Sequence, residues 1–368
     1  MTNSEDNVFD NSSSLAWVDP CIHETWLENA LLSVCYLLGL FVGGLGNVIA
    51  LSLFVRDRQP KSPSDIFLLH LALSDLFLLL SLPTRLFYHL SGNSWPFGSL
   101  ACRLSGFVFY LNMYASLYFL AGISIDRYLA IVHPLNSVKF RKPLHAHLTC
   151  GFLWAIVAFA TAPLLLGRGA AMDETVCRLL YRETPSLRAL SSLSTAFAIP
   201  FLATVTCYGL ILRRLQKGGD RKPKERAVKM VLLVLTIFLI CFVPYHLSRA
   251  LYHVLMPGGE SAAVLSPCHL RQGLALANRF TSCLSTLNAA LDPLVYFFAV
   301  KKFRQILLRL PCKEDGTDNV KNREEGRTED SSLSAKTDVL LLDRNEELCK
   351  PFCYHQPFLF VQSEQSFM

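Results

Sequence analysis

The sequence predicts an all-α membrane protein, a bundle of seven transmembrane helices followed by a short amphipathic helix on the membrane surface. Three observations predict it. The chain is 52% hydrophobic and 17% charged, with a mean hydropathy of +0.34, too apolar for an ordinary soluble protein of 368 residues. Apolar windows of about 20 residues or more, each enough for ~30 Å of hydrocarbon at ~1.5 Å per residue, recur along it. The basic residues collect between alternate windows, as the positive-inside rule requires of a multi-span chain.

Residues 1–28 are polar, carry Glu5, Asp6, Asp10, Asp19, Glu24 and Glu28 without Lys or Arg, and lack the basic start and short apolar core of a cleavable signal. They are expected outside, with Asn11 of "NSS" as a glycosylation acceptor and the first span serving as the signal. The bundle occupies 29–300. Its spans are expected near Asn29–Val55, Ser64–Leu90, Leu100–Val132, His145–Leu166, Leu187–Leu212, Ala227–Leu255 and Leu270–Val300. "RDRQPK", "KFRK", "RRLQKGGDRKPKER" and "KKFRQILLR" follow the first, third, fifth and seventh, which sets the amino terminus outside and the carboxyl terminus in the cytoplasm. The net charge of +6 is mostly this signal, and no aromatic-rich basic domain points to a nucleic-acid polymer.

In 301–311, Phe303, Ile306, Leu307 and Leu310 share one helical face opposite basic residues, so this segment should lie along the bilayer surface, and Cys312 beyond it is a juxtamembrane palmitoylation candidate. Residues 312–368 turn polar and aperiodic and read as a disordered cytoplasmic tail.

The polar residues inside the spans narrow the function. Asp75 sits mid-span in "LALSDLFLLL"; Asn288, Asp292 and Tyr296 recur every four residues on one face of the seventh span; Ser116 lies at a comparable depth in the third. Such a cluster glues helices together. Two carboxylates in one dry bundle also call for a proton or cation between them, and oxygen ligands favour sodium at Asp75, Ser116, Asn288 and Asp292; no other cofactor is expected. Pro83, Pro163, Pro200, Pro244 and Pro293 each remove a backbone bond mid-span, which suits a bundle with two packings. Cys21, Cys102, Cys177 and Cys268 fall on the outer side, where disulfides persist, and allow three pairings. Arg127 lies ~37 Å along a helix from Cys102, so Asp126 and Arg127 mark the inner mouth.

These residues fall into motifs, one set per span: "GN" at Gly46–Asn47, "LALSD" ending at Asp75, Cys102, "DRY" at Asp126–Tyr128, Trp154, Pro200 with Tyr208, "CFVP" at Cys241–Pro244 and "DPLVY" at Asp292–Tyr296. In them the chain resembles the rhodopsin-like G-protein-coupled receptors from about Asn29 to Cys312. The resemblance implies that Asp126 holds Arg127 at rest and releases it to a heterotrimeric G protein, while Tyr208 and Tyr296 swing inward. It implies Cys102–Cys177 and Cys21–Cys268 disulfides, arrestin and receptor kinases acting on the tail, and a plasma-membrane location. Phe242 stands where many members carry tryptophan, and Asp292 where most carry asparagine.

The outer half resembles the branch holding nucleotide and cysteinyl-leukotriene receptors, through "LPTRLFYH", "FYLNMYASLYFL", "FVPYHLSR" and "LALANRFTSCLSTLNAALDP". This implies an extracellular anionic ligand and, more distantly, an inhibitory-type G protein. The chemistry agrees: Arg249 lies ~30 Å along the sixth span from Lys229, hence in the outer mouth, with Phe242 and His246 on its face. Arg85 and Tyr88, Arg279, and Tyr110 and Tyr114 complete an aromatic vestibule whose guanidinium groups suit phosphate or carboxylate. The bland alternative is that the arginines snorkel or pair with outer-loop acids and that His246 is a core histidine. A retinal pump would need a lysine in the last span, which has none; a transporter would show half-repeats; an enzyme would show a nucleophile, zinc or phosphate-loop motif. Within receptors the alternative is an orphan-like one with high ligand-independent activity.

Overall fold

The computed structural model describes residues 21, 23, 25–56, 62–166, 177, 180, 187–216, 221–255, 267–300 and 303–305, with the backbone alone at 187–193 and 221–227. Asn11, Cys312, the body of the surface helix and the tail lie outside the described residues. α1 (Trp26–Arg56) starts at Thr25, whose hydroxyl accepts from the Glu28 amide, satisfying one of the first-turn donors. α2 (Pro63–Leu90) has a capping box between Ser62 and Asp65 with Pro63 at its first position, where a missing N–H costs nothing. α3 (Gly98–Val132) and α4 (Pro143–Leu166) follow, joined through a helical turn at Pro134–Ser137. α5 (Leu187–Gln216) contains Pro200.

α6 runs as Arg221–Ile237, a wider π turn Phe238–Phe242, and Val243–Leu255. The wider turn lies just before Pro244, where a helix must shed a backbone bond. α6 thus begins six residues before the expected span, and Lys229 lies two turns inside the helix rather than at its start. α7 is Cys268–Thr286 and Asn288–Ala299, broken at Leu287.

Among the described residues six helices, α1 to α6, are long and apolar enough to cross a membrane. α7 is less apolar because it turns Arg271, Asn278, Arg279, Asn288 and Asp292 into the bundle, where all are buried. α3 is the axial helix, packed on α2, α4, α5 and α7, while α1 closes the ring against α2 and α7. The α1–α7 approach is close enough to exclude side chains: a Cβ on Gly46 would collide with the Pro293 ring, and one on Gly43 would sit 2.9 Å from the Ala289 carbonyl. Asn47 fills this seam, donating to the Gly43 and Ala289 carbonyls at 2.9 and 2.8 Å and accepting from the Tyr296 hydroxyl at 2.9 Å. Of the segment expected to form the surface helix, residues 303–305 are described and are helical; Phe303 is buried against Tyr296.

Candidate functional site

Three polar layers cross the bundle. In the outer layer, disulfides join Cys102 to Cys177 and Cys21 to Cys268, the pairings the resemblance implies. A third, Cys35–Cys283, ties α1 to α7 within the spans and was not anticipated, because neither cysteine's neighbour across helices is visible in one dimension. Beneath Cys102–Cys177, Tyr88 packs with Trp95 and His89, so it belongs to the wall of the vestibule.

Arg85 is fully buried: its Nη2 donates to the Ser105 carbonyl at 3.2 Å, its guanidinium lies 4.6 Å over the Phe109 ring, and its Nε and Nη1 have no hydrogen-bond partner among the described residues. Arg249 donates to Asn278 Oδ1 at 3.5 Å, meets His253 Nε2 at 3.3 Å and covers the Tyr252 ring at 5.6 Å. Arg279 forms an ion pair with Glu28 of α1 at 3.8 Å, an acid other than the outer-loop ones considered from sequence. Tyr245 donates to the Tyr110 hydroxyl at 3.1 Å. His246 donates Nδ1–H to the Phe242 carbonyl at 2.8 Å and stacks on Phe197 at 4.2 Å, with Tyr114 at 6.2 Å. Those contacts are what a core histidine makes, although Nε2 keeps an open acceptor position.

The middle layer joins α2, α3 and α7. Asn112 Nδ2 reaches Asp75 Oδ1 at 3.0 Å, Ser74 at 3.1 Å and Ser116 at 3.4 Å. Asp75 Oδ2, both Asp292 oxygens and the whole Asn288 amide are buried without a hydrogen-bond partner among the described residues, and Asp292 interacts electrostatically with Asp75. Orphaned oxygens in such a place fit a hard cation or water. Asn112 was missed from sequence, although a polar residue one turn before Ser116 in an apolar run is the same kind of signal.

The inner layer departs from expectation. Asp126 is held by Arg141 of the α3–α4 loop, Nε to Oδ1 at 2.7 Å and Nη2 to Oδ2 at 3.2 Å, and by the Ser64 hydroxyl of α2. Arg127 is not its partner; neighbouring helix residues point about 100° apart and do not face each other. Arg127 instead interacts electrostatically with Tyr208 of α5, and its Nε lacks a hydrogen-bond partner among the described residues. Tyr128 turns outward to His133 at 3.0 Å. The bond to Asp126 holds the Arg141 guanidinium above its ordinary pKa. Phe242 packs on Phe238 at 5.6 Å just before Pro244, and Tyr296 is locked on Asn47.

The sequence that builds these layers is similar to those of known proteins. Residues 46–296 match the family 7 transmembrane receptor (rhodopsin family). The chain is 50% identical over 333 residues to the uracil nucleotide/cysteinyl leukotriene receptor of Mus musculus, covering 89% of this chain and 96% of that one. The protein of that name from Homo sapiens is 52% identical over 333 residues, covering 89% and 88%. A purinoceptor of Xenopus laevis is 31% identical over 315 residues, covering 82% of this chain and 57% of its own length. The chain therefore belongs to the rhodopsin family of seven-transmembrane, G-protein-coupled receptors, as a multi-pass receptor of the plasma membrane and not an enzyme.

Proposed function

We propose that the chain is a receptor for an extracellular anionic small molecule, a uracil nucleotide, nucleotide sugar or cysteinyl leukotriene, and that it signals through heterotrimeric G proteins of the inhibitory type. The amino terminus is outside and the carboxyl terminus inside, where arrestin and receptor kinases act on the tail. One observation carries the ligand class: Arg85 is a fully buried guanidinium with two nitrogens lacking a hydrogen-bond partner among the described residues. Arginine cannot shed its proton, and a buried charge without an opposite partner is costly, so an incoming phosphate or carboxylate is worth most there. The names of the relatives, a uracil nucleotide/cysteinyl leukotriene receptor and a purinoceptor, support the same class.

The reading includes a sodium ion among Asp75, Ser116, Asn288 and Asp292, supported by the orphaned oxygens of Asp75, Asn288 and Asp292. These oxygens, with water, would hold the ion, and its charge would offset the two carboxylates while it is bound.

The experiment is a concentration–response series with uridine diphosphate and a cysteinyl leukotriene on Arg85→Ala and Arg85→Lys, normalised to surface expression. A charge-assisted bond implies a ten- to hundredfold loss of potency for Arg85→Ala, about 1.4 kcal/mol per tenfold, with partial recovery in Arg85→Lys. A well-expressed Arg85→Ala that responds like wild type to either ligand overturns the anion reading.

A further inference from the structure

Among residues with described side chains, the outer half of the bundle holds five arginines, Arg85, Arg103, Arg249, Arg271 and Arg279, and one acid, Glu28. From the placement of that acid, and resting on the proposed anionic ligand, we infer that Glu28 is a built-in competitor of the ligand: its carboxylate occupies Arg279 at rest and thereby sets how much negative charge the site accepts. Three features carry the inference.

The pair is close in charge but long in distance. Glu28 Oε2 stands 3.8 Å from Arg279 Nη1, the two side chains are 12% and 5% exposed, and Oε2 has no hydrogen-bond partner among the described residues. A contact of this length offsets charge without forming a hydrogen bond. A phosphate or carboxylate free to approach can instead take the bidentate fork of a guanidinium at about 2.8 Å. The ligand therefore exchanges a long contact for short ones.

The backbone that presents Glu28 cannot withdraw. Its amide donates to the Thr25 hydroxyl at 3.3 Å, the His23 amide donates to Gln272 Oε1 at 2.8 Å, the Gln272 side chain donates back to the His23 carbonyl, and Cys21 is joined to Cys268. Asn29, the next residue, accepts from His89 Nδ1 of α2 at 2.9 Å, and His89 stacks on Tyr36 of α1. The start of α1 is thus fixed to both α2 and α7, and only the Glu28 side chain can turn away. A tethered carboxylate competes at an effective concentration that dilution does not lower.

Glu28 also shares one field with the other arginines. His89, bonded to Asn29, interacts electrostatically with both Arg85 and Arg279. An anion among these groups meets the attraction of the arginines and the repulsion of Glu28, and the repulsion grows with the charge the anion carries. Glu28 therefore acts against a triphosphate more strongly than against a diphosphate of the same nucleoside.

The test uses the purified full-length receptor in lipid nanodiscs. Isothermal titration calorimetry gives the affinities of uridine diphosphate and uridine triphosphate, and thermal unfolding gives the concentration of inorganic pyrophosphate that half-maximally stabilises the protein. Glu28→Gln, which keeps the shape and loses the charge, should tighten uridine diphosphate about threefold and uridine triphosphate about tenfold, and should lower the pyrophosphate concentration about tenfold. Glu28→Asp, whose carboxylate is drawn back by one methylene, should show smaller gains in the same direction, so the question stays decidable if the glutamine variant does not fold. In an Arg279→Gln background Glu28→Gln should change little, because coupled partners are not additive. A loss of affinity in Glu28→Gln makes the acid a support for Arg279 and overturns the inference. Equal changes for the two nucleotides overturn it as well, since a merely structural disturbance moves both together, and so does pyrophosphate that acts alike on wild type and Glu28→Gln or on neither. If neither nucleotide binds wild type, the proposed ligand class fails alone, and the pyrophosphate comparison still decides the role of Glu28.

Discussion

Arg249 presents a fork of donors, and it is packed between Asn278, His253 and the Tyr252 ring. Arg249→Ala should therefore weaken an anionic agonist on the order of ten- to a hundredfold while ligand-independent signalling persists, since Asp126 and Arg127 lie at the other end of the bundle. Arg249→Lys should recover only part of the affinity, because an ammonium cannot reproduce the planar fork. Radioligand competition on membranes decides both. In the middle layer, raising sodium should lower agonist affinity or basal activity of wild type, and Asp75→Asn should remove that sensitivity by taking away one of the two buried carboxylates. A variant with unchanged sodium response would leave the cluster a purely structural one. At this scale the sequence revealed ionisable residues in apolar runs, Asp75, Asp292 and Arg85 among them, because such residues are expensive there. It did not reveal Glu28 as the partner of Arg279, since an acid at the edge of a polar segment carries no sign of which helix it will meet.

Within elements, the contact between α1 and α7 shows how two glycines of one helix can differ. A methyl on Gly46 would run into the Pro293 ring, which has no free end to swing aside, so the helices must part. Gly46→Ala is expected to lower the thermal stability of the solubilised receptor by about 1–3 kcal/mol, the usual cost of overpacking. Gly44 has nothing within 4 Å of the equivalent methyl, and Gly44→Ala should raise stability by roughly 0.5–1 kcal/mol through the better helix propensity of alanine. A thermal-shift comparison of the two variants checks the contrast, and equal behaviour would mean that the seam can yield. "GN" at Gly46–Asn47 was legible as a motif, but its physical reason was not. Only the packed structure shows glycine admitting Pro293 while asparagine bridges α1 to Ala289 and Tyr296. Likewise Pro244 announced a break in α6, while the wider turn Phe238–Phe242 is how the helix accommodates it.

For the whole molecule, three disulfides among the described residues tie distant parts of the chain, and Cys102–Cys177 closes a separation of 75 residues over the vestibule. Replacing Cys102 with serine should cost about 2–5 kcal/mol and reduce surface expression and agonist binding together. Flow cytometry of intact cells beside ligand binding measures this, and a variant that keeps both would make the bridge dispensable.

The sequence by itself determined that this is a seven-helix membrane receptor of the rhodopsin family, because apolar length, helical periodicity and the order of motifs are one-dimensional quantities. It also placed the polar residues on shared faces, since spacing of three or four residues is enough to do so. Which face meets which was decided only by tertiary structure. The azimuth and register of packed helices brought Arg141, not Arg127, to Asp126, Glu28 to Arg279, and Cys35 to Cys283 across 248 positions. Adjacent residues on a helix point in different directions, whereas residues far apart in sequence can face each other across a seam a few ångströms wide, and that distance is set by packing.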